Sequence, residues 1–507
     1  MTKVYSNRIS EYTHENGGRV LLLFLLFALA IFEFINAGFN AFAVICLSPL
    51  AILFCYVAFR WKMAIFWALI VINWFIMNRN LDTPFPKSLA DELLELVLIA
   101  IALIDIRKES YFGRAWNFML LAIFIWFGLC VLEIFNDTIG INISAWFTGI
   151  RLLALHLFWI LLVFSLYITN SQTLLSYLRI WAVLSLFSAF WTWKMINYGL
   201  TDAESSWLYN SGYRTHLLNA GTLIRYWSTF NDAATYGCNA SASAVAFLIF
   251  GITSKIKFDR YFFLLTAAAV TWGMFQSGTR TAMITFIAGF IVFLFLARSV
   301  KILVPSAIIG IFFLFILIFT NIGQGNQQIR RMRSAFDKKD ASANARDINK
   351  ATIAKYIKDA PWGIGIGLNN EDVPARSYFK SMTSVPPDSE YVFIWVRTGP
   401  IGVTVFTCCM VMMLLGGCVI VLFRLKSPSL IGIGGGLCAA FVSIHLGGYA
   451  NQILYLYPNG LTFFGAMAIV YVLPYIEPEW IQYEEKRLAK IKERKRLRLE
   501  KRLASRV

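Results

Sequence analysis

The stretch 386-PPDSEYVFIWVRTGPIG-402 joins a polar segment, residues 321–388, to an apolar run at 401–423. A membrane-spanning helix needs about 20 mostly apolar residues, and the run that opens at Ile401 satisfies that rule. Carried outward from this point, the same rule places spans at 20–37, 41–59, 63–77, 93–106, 116–134, 152–168, 174–193, 237–252, 262–275, 282–296, 302–319, 430–449 and 461–475. With 401–423 they make fourteen, and the fold expected is an all-α polytopic membrane helix bundle with a large, partly helical extracytoplasmic loop.

Composition agrees. Of 507 residues, 58% are hydrophobic, 16% aromatic and only 15% charged, against about 25% charged in soluble domains. The net charge of +17 does not point to nucleic acid, because the lysines and arginines cluster in short loops and one tail. The eight cysteines sit almost entirely in apolar runs and read as small buried hydrophobes, without a disulfide frame or metal-ligand spacing. No cleavage site follows the first apolar run, so it reads as a retained helix. The expected organisation is a cytoplasmic tail at 1–19, a transmembrane body at 20–480 with extracytoplasmic loops at 194–235 and 321–388, and a basic cytoplasmic tail at 481–507.

Charge orients the chain. With the amino terminus in the cytoplasm, the inside loops hold Arg60 and Lys62; Arg107, Lys108 and Arg114; Lys255, Lys257 and Arg260; Arg298 and Lys301; and Arg424 and Lys426. The tail from Ile481 adds 11 Lys/Arg against 4 Glu and reads as a solvated helix touching anionic headgroups. The large loop, with 11 Lys/Arg against 7 Asp/Glu, then lies outside. Loops longer than about 60 residues cross largely regardless of charge, so its excess of arginine calls for another explanation, and an anionic ligand supplies one.

Inside that loop Ala345, Ile348, Thr352, Tyr356 and Ala360 recur at helical spacing. Pro361 closes this helix, and the glycines at 363, 365 and 367 continue as a turn; no strand precedes them to make a dinucleotide fingerprint. Ionisable residues within spans are functional candidates by default: Glu33, Asp105, Glu133, His156 and His445 qualify, with pairing inside the bundle as the plainer reading. The four histidines are scattered, without an HExxH or a carboxylate cluster, so neither a protein-held metal nor any cofactor is expected. No P-loop or GxSxG elbow supports ATP-driven transport or serine hydrolysis.

Three short motifs remain at the outer helix mouths: RYWSTFNDAATYG with Arg225, QSGTRTA with Arg280, and PPDSEYVFIWVRTGPIG with Asp388 and Glu390. Each arginine alone reads as an interfacial anchor. Together they suit a diphosphate, because guanidinium is a planar, permanent cation that matches phosphate oxygens.

The order R-x-x-x-T-F-N, S-G-T-R, a loop arginine ahead of P-x-G-x-G, and a span opening on Y-(x)7-G-x-x-G resembles the O-antigen ligase and O-antigen polymerase family of GT-C glycosyltransferases over residues 225–402. The resemblance implies an enzyme of the bacterial inner membrane with a periplasmic active site and both termini cytoplasmic. It would move glycan, without a metal, from an undecaprenyl-diphosphate carrier to a glycan or lipid A core acceptor, among membrane lipids and away from nucleic acid. It implies Arg225 and Arg280 as catalytic cations on the diphosphate and Arg346 as a third arginine. Thr279, Glu390 and Tyr391 join Arg346 as substrate-binding residues. The ligases carry histidine at the position of Asp388, which makes Asp388 the expected catalytic base, with Glu390 second, and favours a polymerase or exopolysaccharide variant. A flippase or secondary transporter is the alternative; it should show paired repeats and broken helices, and the sequence shows neither.

Overall fold

The computed structural model describes residues 59–76, 87–105, 111–218, 223–297, 300–320 and 341–504, with separate positions between 18 and 56 and between 322 and 333. The tail at 1–19, the expected spans at 20–37 and 41–59, and Glu33 lie almost entirely outside the described residues, as does most of 321–340. Residues 1–65 cluster as one unit, whose described apolar side chains Leu21, Leu25, Phe27 and Phe32 are exposed. The second unit, residues 66–507, holds everything that follows.

The main helices are α1 (Lys62–Phe75), α2 (Lys87–Ile104), α3 (Phe118–Leu132), α4 (Ile143–Tyr167, with a π turn at Arg151–Leu155), α5 (Ser171–Asn197), α6 (Ala233–Thr253), α7 (Lys257–Gln276), α8 (Arg280–Leu296), α9 (Val300–Phe319), α10 (Ala341–Ile357), α11 (Glu390–Val419), α12 (Pro428–Ala450) and α13 (Gly465–Ala504). Seven helical segments among the described residues are long and apolar enough to cross a membrane, and Lys62–Phe75 and Arg280–Leu296 are shorter apolar helices. The fold is an all-α membrane bundle; its one described sheet is a two-stranded antiparallel pair, Leu217–Leu218 with Leu223–Ile224.

The centre of the bundle is α6. Its sequence, AATYGCNASASAVAFLIFGIT, is rich in Ala, Ser and Gly, and nearly all of it is buried against α7, α8 and α12. Small residues let backbones approach closely where lipid supplies no hydrophobic drive between helices. Polar side chains then bond across the contacts: Ser241 Oγ with Thr285 Oγ1 at 2.8 Å, Asn239 Nδ2 to Asn459 Oδ1 at 2.8 Å, and Ser443 Oγ to the Thr285 carbonyl at 2.8 Å. Large apolar side chains on the outside, among them Phe295, Phe312, Phe319 and Phe423, are exposed as acyl-chain contacts require. The six cysteines among the described residues form no disulfide.

Two expectations change. The loop helix forms, as α10, but its buried side is Ile353, Ile357 and, just past its end, Ala360, while Ala345 and Ile348 face solvent. The face is chosen by the apolar cluster of Ile364, Leu368, Val373, Phe379 and Met382 beneath it. The C-terminal helix is also not solvated from its start. Arg487 Nη1 pairs with Asp259 Oδ2 at 2.8 Å, and Lys255 Nζ with Glu484 Oε2 at 2.7 Å, so its first turns dock beside the α6–α7 connection.

Candidate functional site

The site is built where α6, α8 and α11 begin and α12 ends. Asp232 caps α6, its Oδ1 accepting from the Ala234 and Thr235 amides at 2.7 and 2.9 Å, and Oδ2 accepting from Thr235 Oγ1 at 2.7 Å. Such a cap satisfies donors that a helix start leaves open. The loop before it is tied to the turn between α7 and α8 by the Tyr226 amide, which donates to the Gln276 carbonyl at 3.3 Å. Gly237 faces Ser277 and Thr279 so closely that any side chain there would collide with them.

Arg225 stitches these pieces together. Nε donates to the Ser277 carbonyl at 3.3 Å, Nη1 to the Thr215 carbonyl at 2.9 Å, and Nη2 to Thr279 Oγ1 at 3.0 Å. All three acceptors are uncharged, and burial, offset by Asp232 and reinforced by Arg280 and Arg346, pulls its pKa below the ordinary value. Guanidinium nevertheless stays protonated in proteins. The result is a fixed positive charge held by neutral dipoles.

Around it lies a cavity of about 650 Å³ whose walls include Arg225, Thr279, Arg280, Arg331 and Arg346 together with His216, Asp232 and Asn451. A second cavity of about 360 Å³ carries Asp388 and Tyr391 and shares Arg346, Tyr449 and Ala450 with the first. Arg346, on α10, thus faces both. Asp388 accepts from Asn349 Nδ2 of the same helix at 2.7 Å through Oδ2.

Of the expected site residues, Arg225, Thr279, Arg280, Arg346, Asp388 and Tyr391 line these two adjoining cavities. Glu390 does not. It is 4% exposed, and its Oε2 accepts from the Leu454 amide at 2.9 Å, fastening α11 to the segment after α12. Two residues along a helix start turn a side chain by about 200°, away from its neighbour's face.

The glycines have a packing role as well. Ile364 and Gly365 donate their amides to the Val396 and Arg397 carbonyls, both at 3.0 Å. Gly399 breaks α11 at φ +67, and a side chain on it or on Gly363 would overlap the opposing backbone. The 361–367 turn therefore lies directly against the broken helix.

Several participants escaped the sequence reading. Arg331, whose Nε donates to the Gly278 carbonyl at 2.7 Å, lies in a run of loop arginines with no spacing to set it apart. His216 accepts from the Ala233 amide at Nε2, 3.0 Å, so its proton belongs on Nδ1. Asp232 was legible as a helix cap. The ionisable residues of the spans divide: Glu133 accepts from Asn136 Nδ2 at 2.8 Å, His445 Nδ1 faces the Phe441 carbonyl of its own helix at 2.8 Å, and Asp105 is half-buried at the end of α2. The expectation that no histidine joins carboxylates fails at His156, which meets Asp91 and Glu95.

Residues 261–407 match a family model described as O-Antigen ligase. The matched stretch runs from within α7 into α11 and contains Arg280, Arg346, Asp388 and Tyr391; Arg225 precedes it. Comparison with curated proteins finds no match.

Proposed function

We propose that this chain, which carries an O-antigen ligase family domain at residues 261–407, transfers glycan from an undecaprenyl-diphosphate carrier to a sugar hydroxyl on the periplasmic face of the inner membrane. The family match supports a membrane glycan-transfer role in polysaccharide biosynthesis. The observation that carries the finer reading is the single cavity lined by Arg225, Arg280, Arg331 and Arg346.

In this reading the donor's diphosphate sits among the guanidinium groups. The bond between the anomeric carbon and the diphosphate oxygen breaks, and the electron pair leaves with the polyprenyl diphosphate. The arginines stabilise that leaving charge from fixed positions, the task a metal ion performs in other diphosphate enzymes. The acceptor hydroxyl oxygen bonds to the anomeric carbon and gives its proton to Asp388, which Asn349 holds in place. Helix α10, bringing Arg346 to both cavities, covers the reacting centre, and shielding from water favours transfer over hydrolysis.

The test compares surface polysaccharide in a deletion strain complemented with wild type, Arg280→Ala or Asp388→Ala. Single repeat units accumulating in place of polymer identify a polymerase. Long chains retained on the lipid carrier identify a ligase. Normal glycan from both variants overturns the reading.

A further inference from the structure

Away from the arginine cavities, α2 and α4 enclose a second polar cluster. Asp91 and Glu95 stand four residues apart on α2, hence on one helix face, and neither has measurable exposure. His156, 8% exposed, reaches them from α4 immediately after the π turn at Arg151–Leu155. Such turns recur at functional positions because they re-aim the residues that follow.

The atoms are poorly satisfied as they stand. His156 Nδ1 lies 3.1 Å from Glu95 Oε2, and Nε2 lies 4.0 Å from Asp91 Oδ2, too far for a hydrogen bond. Asp91 Oδ2 and both Glu95 oxygens have no hydrogen-bond partner. Asn73, on α1 and 1% exposed, donates Nδ2 to Asp91 Oδ1 at 2.9 Å, yet its own carbonyl Oδ1 is buried without a partner. The nearby guanidinium of Arg151 is engaged with Glu92 at 3.2 Å. Two buried carboxylates with unpaired oxygens require a positive charge between them.

We propose that Asp91, Glu95 and His156, with the Asn73 amide oxygen beside them, form a binding site for a first-row divalent cation that ties α1, α2 and α4 together. One ligand atom from each of the three ionisable residues lies within 4.8 Å of the others. Metal–ligand bonds of about 2.0–2.2 Å to imidazole and carboxylate fit within that spread. Mixed nitrogen and oxygen donors suit zinc or manganese better than calcium, which takes oxygen alone. None of these residues lines the arginine cavities, so the cation is structural and independent of the glycan-transfer reading.

The full-length, tag-free chain, purified in detergent, stripped with chelator and equilibrated with Zn²⁺ or Mn²⁺, should retain about one ion per chain by elemental mass spectrometry. Its thermal midpoint should rise on metal addition. Glu95→Gln and His156→Gln should each weaken retention about tenfold or more, while Arg280→Ala should retain the ion as wild type does. Wild type that keeps no ion and shows no rise in midpoint, its carboxylates neutralised by protons instead, overturns the proposal. So does retention unchanged in folded His156→Gln.

Discussion

At the scale of single residues, Arg225 has the most demanding geometry in the site, since its three donors engage three acceptors on two segments at once. Lysine offers a point charge on a flexible stem and cannot reproduce that fork. Arg225→Lys should therefore lower the transfer rate of the purified enzyme by ~10²–10³, the range for losing one preorganised donor to a developing anion. Its neighbour in the motif list, Glu390, should behave in the opposite way. Glu390→Gln keeps an acceptor for the Leu454 amide and should retain transfer, whereas Glu390→Ala strands that buried amide and should cost about 1–3 kcal/mol in a melting experiment. The arginines were legible in the sequence because a permanent charge at a helix mouth has few structural uses. Asp388 and Glu390 were not separable, because two carboxylates two residues apart differ only in which way the helix start points them.

At the scale of elements, α10 and the break in α11 decide the shape of the cleft. Helical spacing alone found α10, but a sequence whose apolar residues surround the helix leaves the choice of face to its tertiary partners. Ile353 packs into the cluster with Ile357, Ile364 and Met382, and Ile348 is 66% exposed. Ile353→Ala should cost about 2–5 kcal/mol and expose the loop to limited proteolysis, and Ile348→Ala should stay within about 0.5 kcal/mol of wild type. Gly399 is the second lever. At φ +67, with a side chain there overlapping the Pro361 backbone, Gly399→Ala should lower the thermal midpoint by a strain of at least about 1–3 kcal/mol. It should also loosen the turn that carries α10 over the cavity.

At the scale of the molecule, α6 joins the arginine cavity at its first turn to the docked start of the basic C-terminal helix at its end, where Lys255 meets Glu484. Its 21 residues span about 30 Å at 1.5 Å per residue, the thickness of a bilayer core. The spans were legible because length and hydropathy are local properties of the chain. The docking of the tail and the meeting of Asn73, Asp91, Glu95 and His156 were not, because each joins helices distant in sequence through side chains that carry no shared motif. The convergence of Arg225, Arg280 and Arg346 lies between these cases: their motifs are short, and only the order of the motifs along alternating spans hinted at a common face. That convergence is also the centre of the account, and lipid binding tests it directly. Undecaprenyl diphosphate titrated onto the purified chain should bind Arg225→Ala and Arg280→Ala at least about tenfold more weakly than wild type, a loss of about 1.4 kcal/mol, with undecaprenyl monophosphate discriminating less between them. Equal affinity of all three proteins for the diphosphate would contradict it.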